Sequence, residues 1–403
     1  MKRFLTLVSL ITVFSGELTW ARGEIASGNA GAGKSLGSPY LHQHGREIQD
    51  ASGKSVILRG VNIGGWLVTE GWMCGQTDAN DRLALERLEE RFGESKASTL
   101  INAWYDNWFT VEDFDALENY GFNVIRVPFS WRNLQNAKGD WTRNEKGEID
   151  FSRFDWVVNE AAKRGIYVVF DLHRWPGIYG EISRATDEGE KYRVQMAVLW
   201  KEFALHFKGN KTIAGYDVIN EPEGSPGDLP HRAFYDAIRS VDPDRMLIME
   251  WTEERQWPTY GWENVVVSDH YPESEAKEIP ANEIEKRLEQ FEKKKAEKSP
   301  DYVKYPVFIG EAKAPEDTAE SARGMVDAFG KRGWSWAIWT YKGISVGGWA
   351  SFNYYSSLNY DLTNISYEEL LELWTDGLGL WRRSSGAPNF YLTDWWIEGY
   401  SKH

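Results

Sequence analysis

Short apolar runs alternate with longer helical patterns through most of the chain, from about residue 45 onward. The runs are rich in β-branched residues, and such an alternation is typical of a parallel sheet whose strands are joined by crossover helices. Eight runs of this kind predict a closed (β/α)₈ TIM barrel of the α/β class, formed as one domain by residues 45–403. The predicted strands are residues 55–62, 122–129, 165–173, 215–221, 245–251, 264–271, 305–311 and 334–341.

The connections between the predicted strands differ in length and character. Residues 154–165 read as a helix that stops at Gly165, and residues 281–298 read as a charged amphipathic helix with a solvated outer face. Residues 66–110 are long for a connection of this type, so they are expected to hold helices of their own and to form one wall of a cleft. Residues 342–365 are rich in Gly, Ser, Asn and Tyr and predict a second long loop at the barrel mouth.

The composition and charge exclude several classes of protein. With 42% hydrophobic and 14% aromatic residues, the 403-residue chain is not of the disordered type. A formal net charge of −15 disfavours binding to nucleic acid, which the chain would repel. The single cysteine, Cys74, excludes an internal disulfide and is expected to pack in the interior. The seven histidines show no ligand spacing, so no metal and no cofactor is expected.

Twenty-one tryptophans are more than core filling alone requires. The indole ring has a flat apolar face, which suits a surface that stacks on sugar rings, although large barrels also bury many aromatic residues. Four tryptophans fall in predicted mouth loops, where they either stack on sugars or only pin the loops in place. These are Trp66, Trp72, Trp175 and Trp349.

The first residues predict an exported protein. Lys2 and Arg3 precede an apolar run from Phe4 to Val13, and Thr19 and Ala21 are small residues placed as at a cleavage site. Residues 1–21 are therefore interpreted as a signal peptide and residues 22–44 as a flexible lead-in, giving a periplasmic or extracellular protein. The alternative is a buried N-terminal helix. No other apolar run has the length that a membrane span requires.

Polar residues recur at the carboxyl ends of the predicted strands, where the interior of a sheet should be apolar. In a TIM barrel these ends meet at one mouth, which carries the reactive groups. We therefore expect a functional site there. The residues in the last positions of the strands, or just beyond them, are Arg126, His173, Asn220, Glu221, Trp251, His270, Tyr271, Glu311 and Trp339.

Two of these side chains, Glu221 and Glu311, follow the fourth and seventh predicted strands and would face each other across the mouth. Such a pair can cleave a glycosidic bond with retention when one carboxyl donates a proton and the other attacks the anomeric carbon. The two groups then need different pKa values. We expect Arg126 to favour the ionised form of Glu311, and apolar neighbours to raise the pKa of Glu221. The alternative is an ion pair that only closes the barrel rim.

Five strand-end segments together resemble glycoside hydrolase family 5, in the clan of retaining (β/α)₈ enzymes. They are NVIRVPFSW, DLHRWPG, DVINEP, FIGEAKA and WAIWTYK, and the resemblance spans residues 55–345. It implies Glu221 as the acid/base and Glu311 as the nucleophile. It also implies Arg126, His173 and Asn220 as supporting residues and Trp339 as the platform beneath the sugar.

Within that family, the segment ILRGVNIGGWLVTEGWM is similar to the opening of the exo-β-1,3-glucanases, and Trp349 after WTYK also looks like that branch. One departure concerns the sixth strand, where the family has His-x-Tyr and this chain has His270 and Tyr271 side by side. Either Tyr271 keeps the family's position and Asp269 replaces the histidine, or the strand end has lost one residue. Because neighbouring residues of a strand point to opposite faces, this choice decides which side chains reach the mouth. We expect Tyr271 to serve the site, while His270 either serves it or packs behind the barrel.

The sequence therefore predicts a monomeric, exported, retaining hydrolase that acts on an oligo- or polysaccharide, a β-glucan with β-1,3 linkages. The same chemistry on cellulose or mannan, or transfer to a sugar acceptor, is the alternative. A carbohydrate-binding protein on a barrel without activity is a third interpretation, which the retained pair of Glu221 and Glu311 disfavours. Exo or endo action depends on loop shape, which the sequence leaves open.

Overall fold

The structure, a computed structural model, describes most of the chain. The described residues are 40–78, 80–223, 228–250, 261–271, 283–298, 302–344, 346, 350–354, 360–376 and 390–401. The predicted signal peptide and most of the predicted lead-in lie outside these ranges. Residues 42–44, which end that lead-in, form a strand.

Thirteen strands lie within the described residues. They are β1 (His42–His44), β2 (Glu47–Gln49), β3 (Arg59–Asn62), β4 (Val124–Ser130), β5 (Tyr167–Arg174), β6 (Ile213–Asp217), β7 (Leu247–Glu250), β8 (Val265–Tyr271), β9 (Val307–Ala312), β10 (Ser335–Ile338), β11 (Lys342–Gly343), β12 (Phe352–Tyr354) and β13 (Phe390–Leu392).

Strands β3 to β10 form a closed barrel in sequential order, and β10 pairs in parallel with both β9 and β3. Each barrel strand overlaps one of the eight predicted strands, so the predicted TIM barrel is confirmed. Two smaller sheets accompany the barrel. Strands β1 and β2 form a hairpin, and β11, β12 and β13 form a three-stranded sheet that includes part of the predicted second mouth loop.

Eleven α-helices accompany these strands in the described part of the chain, and none of them is long and apolar enough to cross a membrane. They are α1 (Gly71–Cys74), α2 (Asp81–Phe92), α3 (Glu94–Trp108), α4 (Val111–Asn119), α5 (Ser152–Arg164), α6 (Asp187–His206), α7 (Leu229–Arg239), α8 (Ile284–Lys298), α9 (Ala319–Lys331), α10 (Tyr367–Asp376) and α11 (Asp394–Tyr400).

Local sequence signals explain where several helices begin and end. Helix α5 stops where Gly165 adopts a left-handed conformation with φ 67°, as the sequence predicted. The long segment 66–110 holds α1, α2 and α3, which confirms that it has helices of its own. Helix α8 is charged, but it buries Ile284 and Leu288, and its Lys295 pairs with the buried Asp269 at 2.9 Å.

Side chains alternate along each barrel strand between an inner and an outer layer. Val124, Val169, Ile248, Val266 and Phe308 belong to a small inner apolar cluster, while their strand neighbours pack outward against the helices. Toward the carboxyl ends of the strands the inner layer becomes polar. The fold thus collects polar side chains at one mouth and keeps the apolar core in the lower barrel and beneath the helices.

Phe203 of α6 is at the centre of an aromatic cluster between helix and barrel. Its ring lies 5.4 Å from that of Phe129 in a stacked arrangement and 5.0 Å from that of Phe170 in an edge-on arrangement. It is fully buried, as is Trp200 one turn earlier in the same helix. This cluster fastens α6 to strands β4 and β5, which both contribute residues to the mouth.

Replacing Phe203 by alanine is expected to lower the free energy of unfolding by about 3 to 5 kcal/mol, because a large cavity would form in a packed aromatic cluster. Urea denaturation of the purified protein would measure this change. Leu205→Ala is a matched control, since Leu205 is on the same helix but 53% exposed. A control loss within about 0.5 kcal/mol is expected. Equal losses in the two variants would contradict the packing described here.

Candidate active site

An open cleft of about 800 Å³ lies at the carboxyl ends of the barrel strands. Residues from the segment 66–110 form one of its walls, as predicted, and residues after β5 contribute an aromatic side. The lining residues are Glu70, Trp72, Asn80, Arg82, Ser130, Trp131, His173, Arg174, Trp175, Gly177, Ile178, Tyr179, Asn220, Glu221, Glu311 and Trp339.

Arg126 of β4 lies beneath this cleft with no exposed side-chain surface. Its guanidinium group contacts three carboxylates and two amide oxygens, which come from different parts of the barrel. The measured distances from its nitrogens are 2.9 Å to Asp217, 3.1 Å to Asp171, 3.0 Å to Glu311, 2.9 Å to Asn62 and 2.7 Å to Asn220.

The carboxylates around Arg126 are too numerous for one cation to neutralise. Burial raises the pKa of Asp171 to about 6 and that of Asp217 to about 7, although Arg126 acts in the opposite direction on both. Removal from water disfavours the charged form of a carboxyl group, and neighbouring carboxylates add to this effect. These two carboxyl groups therefore lose their protons at a higher pH than a solvent-exposed aspartate does.

The carboxylates of Glu221 and Glu311 both lie close to the imidazole of His270 at the mouth. Nδ1 of His270 lies 2.8 Å from Oε1 of Glu221 and 3.8 Å from Oε2 of Glu311. The two carboxylate oxygens therefore cannot be farther apart than the sum of these distances. That sum lies at the lower edge of the range of about 6.5 to 9.5 Å found in inverting glycosidases, and it is compatible with the shorter spacing of retaining ones.

The pKa values of the two carboxyl groups differ, but in the direction opposite to the prediction from sequence. The hydrogen bond from His270 lowers the pKa of Glu221 to about 2, whereas burial raises the pKa of Glu311. Arg126 contacts Glu311 as expected and favours its ionised form, yet burial has the larger effect. The expectation that apolar neighbours raise the pKa of Glu221 is wrong, since its side chain is 50% exposed and bonded to a cationic imidazole.

His270 faces the mouth and Tyr271 does not, so the expected role of Tyr271 at the site is wrong. The phenol ring of Tyr271 packs behind the barrel, 6.0 Å from the ring of Phe291 and 5.9 Å from that of Phe329. Ser268 and His270 point inward, while Asp269 pairs with Lys295 of α8 on the outer side. Strand alternation then turns Tyr271 outward.

His173 and Trp339 lie together on another side of the cleft. Their rings are stacked with centroids 5.5 Å apart and an interplanar angle of 13°. Nδ1 of His173 lies 2.7 Å from the carboxylate of Asp171, and burial lowers the pKa of the imidazole to about 4. His173 is therefore neutral at neutral pH, with Nδ1–H donating to Asp171 and Nε2 left as an acceptor.

Several side chains at the mouth were not singled out from the sequence. Glu250 ends β7 and lies beneath Glu221, whose backbone N–H donates to its carboxylate at 2.6 Å. Tyr179 donates from its hydroxyl to the backbone carbonyl of Glu221 at 2.9 Å. Glu70 accepts hydrogen bonds from Arg174 at 2.5 Å and from the Trp72 indole at 2.6 Å.

The mouth-loop tryptophans have different positions. Trp72 is 50% exposed and lines the cleft, and Trp175 also lines it and stacks on Tyr179 with ring centroids 5.8 Å apart. Trp66 is fully buried and donates to the backbone of Tyr105, so the idea that it stacks on a sugar is wrong. Trp349 and Trp251 lie outside the described residues. Cys74 is fully buried, as expected.

Glu221, Glu250 and His270 have ligand atoms within 4.8 Å of one another, which is close enough to hold a metal ion. Ligand atoms of these residues already make hydrogen bonds within the protein. A carboxylate oxygen of Glu221 accepts from His270, and one of Glu250 accepts from the backbone N–H of Glu221. We therefore interpret the three residues as a hydrogen-bonded network and do not assign a metal to them.

Relatives in sequence include fungal glycosidases. The chain is 27% identical over 353 residues to a β-xylosidase from Phanerodontia chrysosporium, covering 77% of this chain and 72% of that protein. It is 26% identical over 240 residues to a probable glucan 1,3-β-glucosidase A from Aspergillus niger, covering 54% of this chain and 56% of that protein. The chain thus spans only about half the length of this glucosidase.

Solved structures with the same fold include bacterial enzymes. A crystal structure of Thermotoga maritima Cel5A in complex with a mannotriose substrate superimposes with a TM-score of 0.51 at 21% identity, covering 79% of this chain and 97% of that one. A broad-specificity endoglucanase from a Clostridium species superimposes with a TM-score of 0.54 at 18% identity, covering 85% and 96% of the two chains. At these identities the likeness establishes the fold.

Residues 87–345 match the model of the cellulase family, glycosyl hydrolase family 5, over more than half of the chain. This range includes Arg126, His173, Asn220, Glu221, His270, Glu311 and Trp339, which the structure places around one mouth. The protein belongs to glycosyl hydrolase family 5 and is a retaining β-glycoside hydrolase.

Proposed function

We propose that the protein hydrolyses a β-glucan with β-1,3 linkages by double displacement, with Glu311 as the nucleophile and Glu221 as the acid/base. In the first step Glu311 attacks the anomeric carbon while Glu221 gives a proton to the departing oxygen. In the second step water, deprotonated by Glu221, releases the sugar from Glu311. The arrangement that supports this proposal most directly is the shared contact of both carboxylates with His270.

Glu311 is held for attack by Arg126. The guanidinium nitrogen lies 3.0 Å from Oε1 of Glu311, while Oε2 of the same carboxylate lies on the side of His270. Only 19% of the Glu311 side chain is exposed, so little water would have to leave when a sugar binds. A carboxylate that is partly removed from water and fixed by one hydrogen bond is a stronger nucleophile than a hydrated one.

The proton that Glu221 must donate lies on the Glu221 and His270 pair. In the unliganded protein the cationic imidazole holds this proton beside an ionised carboxylate. A bound glycan would cover Glu221 and exclude water from the half-exposed side chain. Because a low dielectric disfavours separated charges, the neutral form of the pair, with the proton on Glu221, then becomes more favourable.

Aromatic side chains supply the binding surface for a sugar chain. Trp339, Trp175, Tyr179 and the exposed Trp72 line the cleft, and their flat faces suit the apolar faces of β-linked pyranose rings. The preference for β-1,3-glucan is supported by the resemblance of residues 57–73 to exo-β-1,3-glucanases and by the relatives named as glucan 1,3-β-glucosidases. Xylan is the second candidate, because the relative named as a β-xylosidase is matched over more of both chains.

Purified protein without residues 1–21 is expected to release glucose from laminarin, in parallel assays with cellulose, mannan and xylan. Glu311→Ala is expected to abolish release, because the variant lacks the attacking carboxylate. Glu320→Gln is a control for loss of a carboxylate, since Glu320 lies in the first turn of α9 and is exposed. Release from xylan alone would favour the second candidate, and silence on all four glycans would favour a barrel that only binds sugar.

A 2-deoxy-2-fluoro-β-glycosyl fluoride tests the nucleophile separately, because it slows the second step and traps the covalent intermediate. Mass spectrometry of a protease digest should show the fluorosugar on the peptide that contains Glu311. A label on another residue would overturn the assignment of the nucleophile while leaving glycoside hydrolysis in place.

His270→Asn is expected to lower kcat/KM on a glycan by about 10²-fold or more, because the variant removes the proton partner of Glu221. Tyr271→Phe should change kcat/KM by less than about threefold, since its hydroxyl lies behind the barrel and away from the cleft. The two variants form a matched pair on neighbouring residues. The reverse ranking of the two losses would indicate that Tyr271 faces the substrate.

Export of the protein is also part of the proposal. The basic start and the apolar run of residues 1–21 support it. Expression of the full chain in a bacterial host should give a periplasmic or secreted protein whose N-terminus, read by mass spectrometry, begins near residue 22. Retention of Met1 and Lys2 in a cytoplasmic product would contradict it.

A further inference from the structure

Glu250 is a buried carboxylate that neither donates to nor attacks the substrate in the mechanism above. Only 5% of its side chain is exposed, and it lies at the carboxyl end of β7, beneath Glu221. Its Oε2 accepts a hydrogen bond of 2.6 Å from the backbone N–H of Glu221. Burial of a carboxylate costs free energy unless other interactions offset that cost. The contact of Glu250 with Glu221 therefore suggests that Glu250 has a function at the site.

The backbone of Glu221 is in a conformation that needs support. Its φ is +40°, in the left-handed region that a residue with a Cβ rarely adopts, at a cost of about 1 to 3 kcal/mol. The backbone N–H and the backbone carbonyl of Glu221 both make hydrogen bonds with side chains of other elements. Glu250 accepts from its N–H, and Tyr179 donates to its carbonyl at 2.9 Å. These two contacts hold the carboxylate of Glu221 at the entrance of the cleft.

Glu250 also lies next to the imidazole that serves Glu221. Nε2 of His270 is 3.8 Å from Oε2 of Glu250, while Nδ1 of the same ring is 2.8 Å from Oε1 of Glu221. The ring thus faces three carboxylates, with Nδ1 toward Glu221 and Glu311 and Nε2 toward Glu250. Within the described residues, Nε2 has no hydrogen-bond partner, and Glu250 is the carboxylate that lies on its side of the ring, at 3.8 Å.

We propose that Glu250 is a positioning residue for the acid/base, which fixes the left-handed backbone of Glu221 and places a carboxylate beside the second nitrogen of the His270 imidazole. This inference rests on the proposed function, since it assigns Glu250 to the donation of a proton by Glu221. Glu250 would have no direct part in the attack of Glu311 on the anomeric carbon.

The charged groups around Glu250 determine how its removal would change the pH dependence. His270 and Glu221 face it from the mouth, and Asp217 and Arg126 face it from the neighbouring inner layer. Burial among carboxylates raises the pKa of Glu250. Burial lowers the pKa of His270, but Glu250, Glu311 and Glu221, in that order, raise it by a larger amount. At a pH at which Glu250 is itself ionised, its charge keeps the shared proton on the Glu221 and His270 pair and moves the loss of that proton to higher pH.

Two substrates with the same sugar test the assignment. A dinitrophenyl β-glycoside has a leaving group that departs without a proton, whereas a glycan or an alkyl β-glycoside needs the acid. Glu250→Leu removes the acceptor for the Glu221 N–H, and we expect it to lower kcat/KM on the glycan by about 10²-fold while the value on the dinitrophenyl glycoside changes by less than about fivefold. Glu160→Gln is a control, as Glu160 is a buried carboxylate of α5 that pairs with Lys163 and Arg164 away from the mouth.

Glu250→Gln tests the charge separately, because its amide oxygen can still accept from the Glu221 N–H. The active free protein needs one proton on the Glu221 and His270 pair, and the alkaline limb of kcat/KM marks the loss of that proton. Removing the negative charge next to His270 lowers the pKa of the pair. The alkaline limb should therefore move to lower pH by about one unit in Glu250→Gln and stay unchanged in Glu160→Gln.

Circular dichroism and the Tm would show whether the variants are folded. A loss of equal size on both substrates in a folded Glu250→Leu, or an unshifted alkaline limb in Glu250→Gln, would overturn the role of Glu250 while the proposed function stands. Unchanged kcat/KM on the glycan in both variants would do the same. Wild-type protein that cleaves neither substrate would overturn the proposed function, and the role of Glu250 with it.

Discussion

A single buried cation organises the mouth of this barrel. The guanidinium group of Arg126 has no exposed surface, and separating it from its carboxylate partners would leave several charges buried and uncompensated, at a cost of about 3 to 5 kcal/mol for each broken pair. Its partners are on β3, on β5 and β6 or just beyond, and on β9, so the register of these strands is fixed where their side chains converge. The partners are Asn62, Asp171, Asp217, Asn220 and Glu311.

The same contacts divide the site into two halves with different surroundings. Glu311 is held by Arg126 and largely shielded from water, whereas Glu221 lies half exposed at the rim and is held by His270, Glu250 and Tyr179. A double displacement needs this asymmetry, because one carboxylate must stay fixed for attack while the other exchanges a proton with the departing oxygen and then with water. The burial and the hydrogen-bond partners of each carboxylate, more than its position in the sequence, suit Glu311 to attack and Glu221 to exchange a proton.

The sequence predicted the barrel, its strands and the two facing carboxylates, because each follows from local periodicity and from polar residues at strand ends. It predicted Tyr271 at the mouth and left the side of His270 open, whereas the structure has His270 at the mouth and Tyr271 behind the barrel. Strand β8 begins with three consecutive valines, and a strand buried on both faces has no apolar alternation from which to read its parity. In the structure Asp269 points to the outer face, where it pairs with Lys295 of α8, so His270 points inward and Tyr271 outward. This pairing joins two separate elements, and local sequence patterns do not reveal it. Asp171 and Asp217 are acidic residues within apolar strands, but the sequence did not show that both pair with Arg126, which it predicted as a partner of Glu311 alone.

The balance of charge at the mouth favours a positively charged transition state. Five carboxyl groups, those of Asp171, Asp217, Glu221, Glu250 and Glu311, lie around the cationic groups of Arg126 and His270, and Arg174 lies at the wall of the cleft. Burial raises the pKa of four of these carboxyls, which means that the nearby cations offset only part of the cost of ionising them in the free protein. In the transition state of glycoside hydrolysis the sugar ring acquires positive charge. That charge would supply part of the compensation that the protein lacks, without rearrangement of the buried groups, so the fold itself contributes electrostatic preorganisation to the reaction.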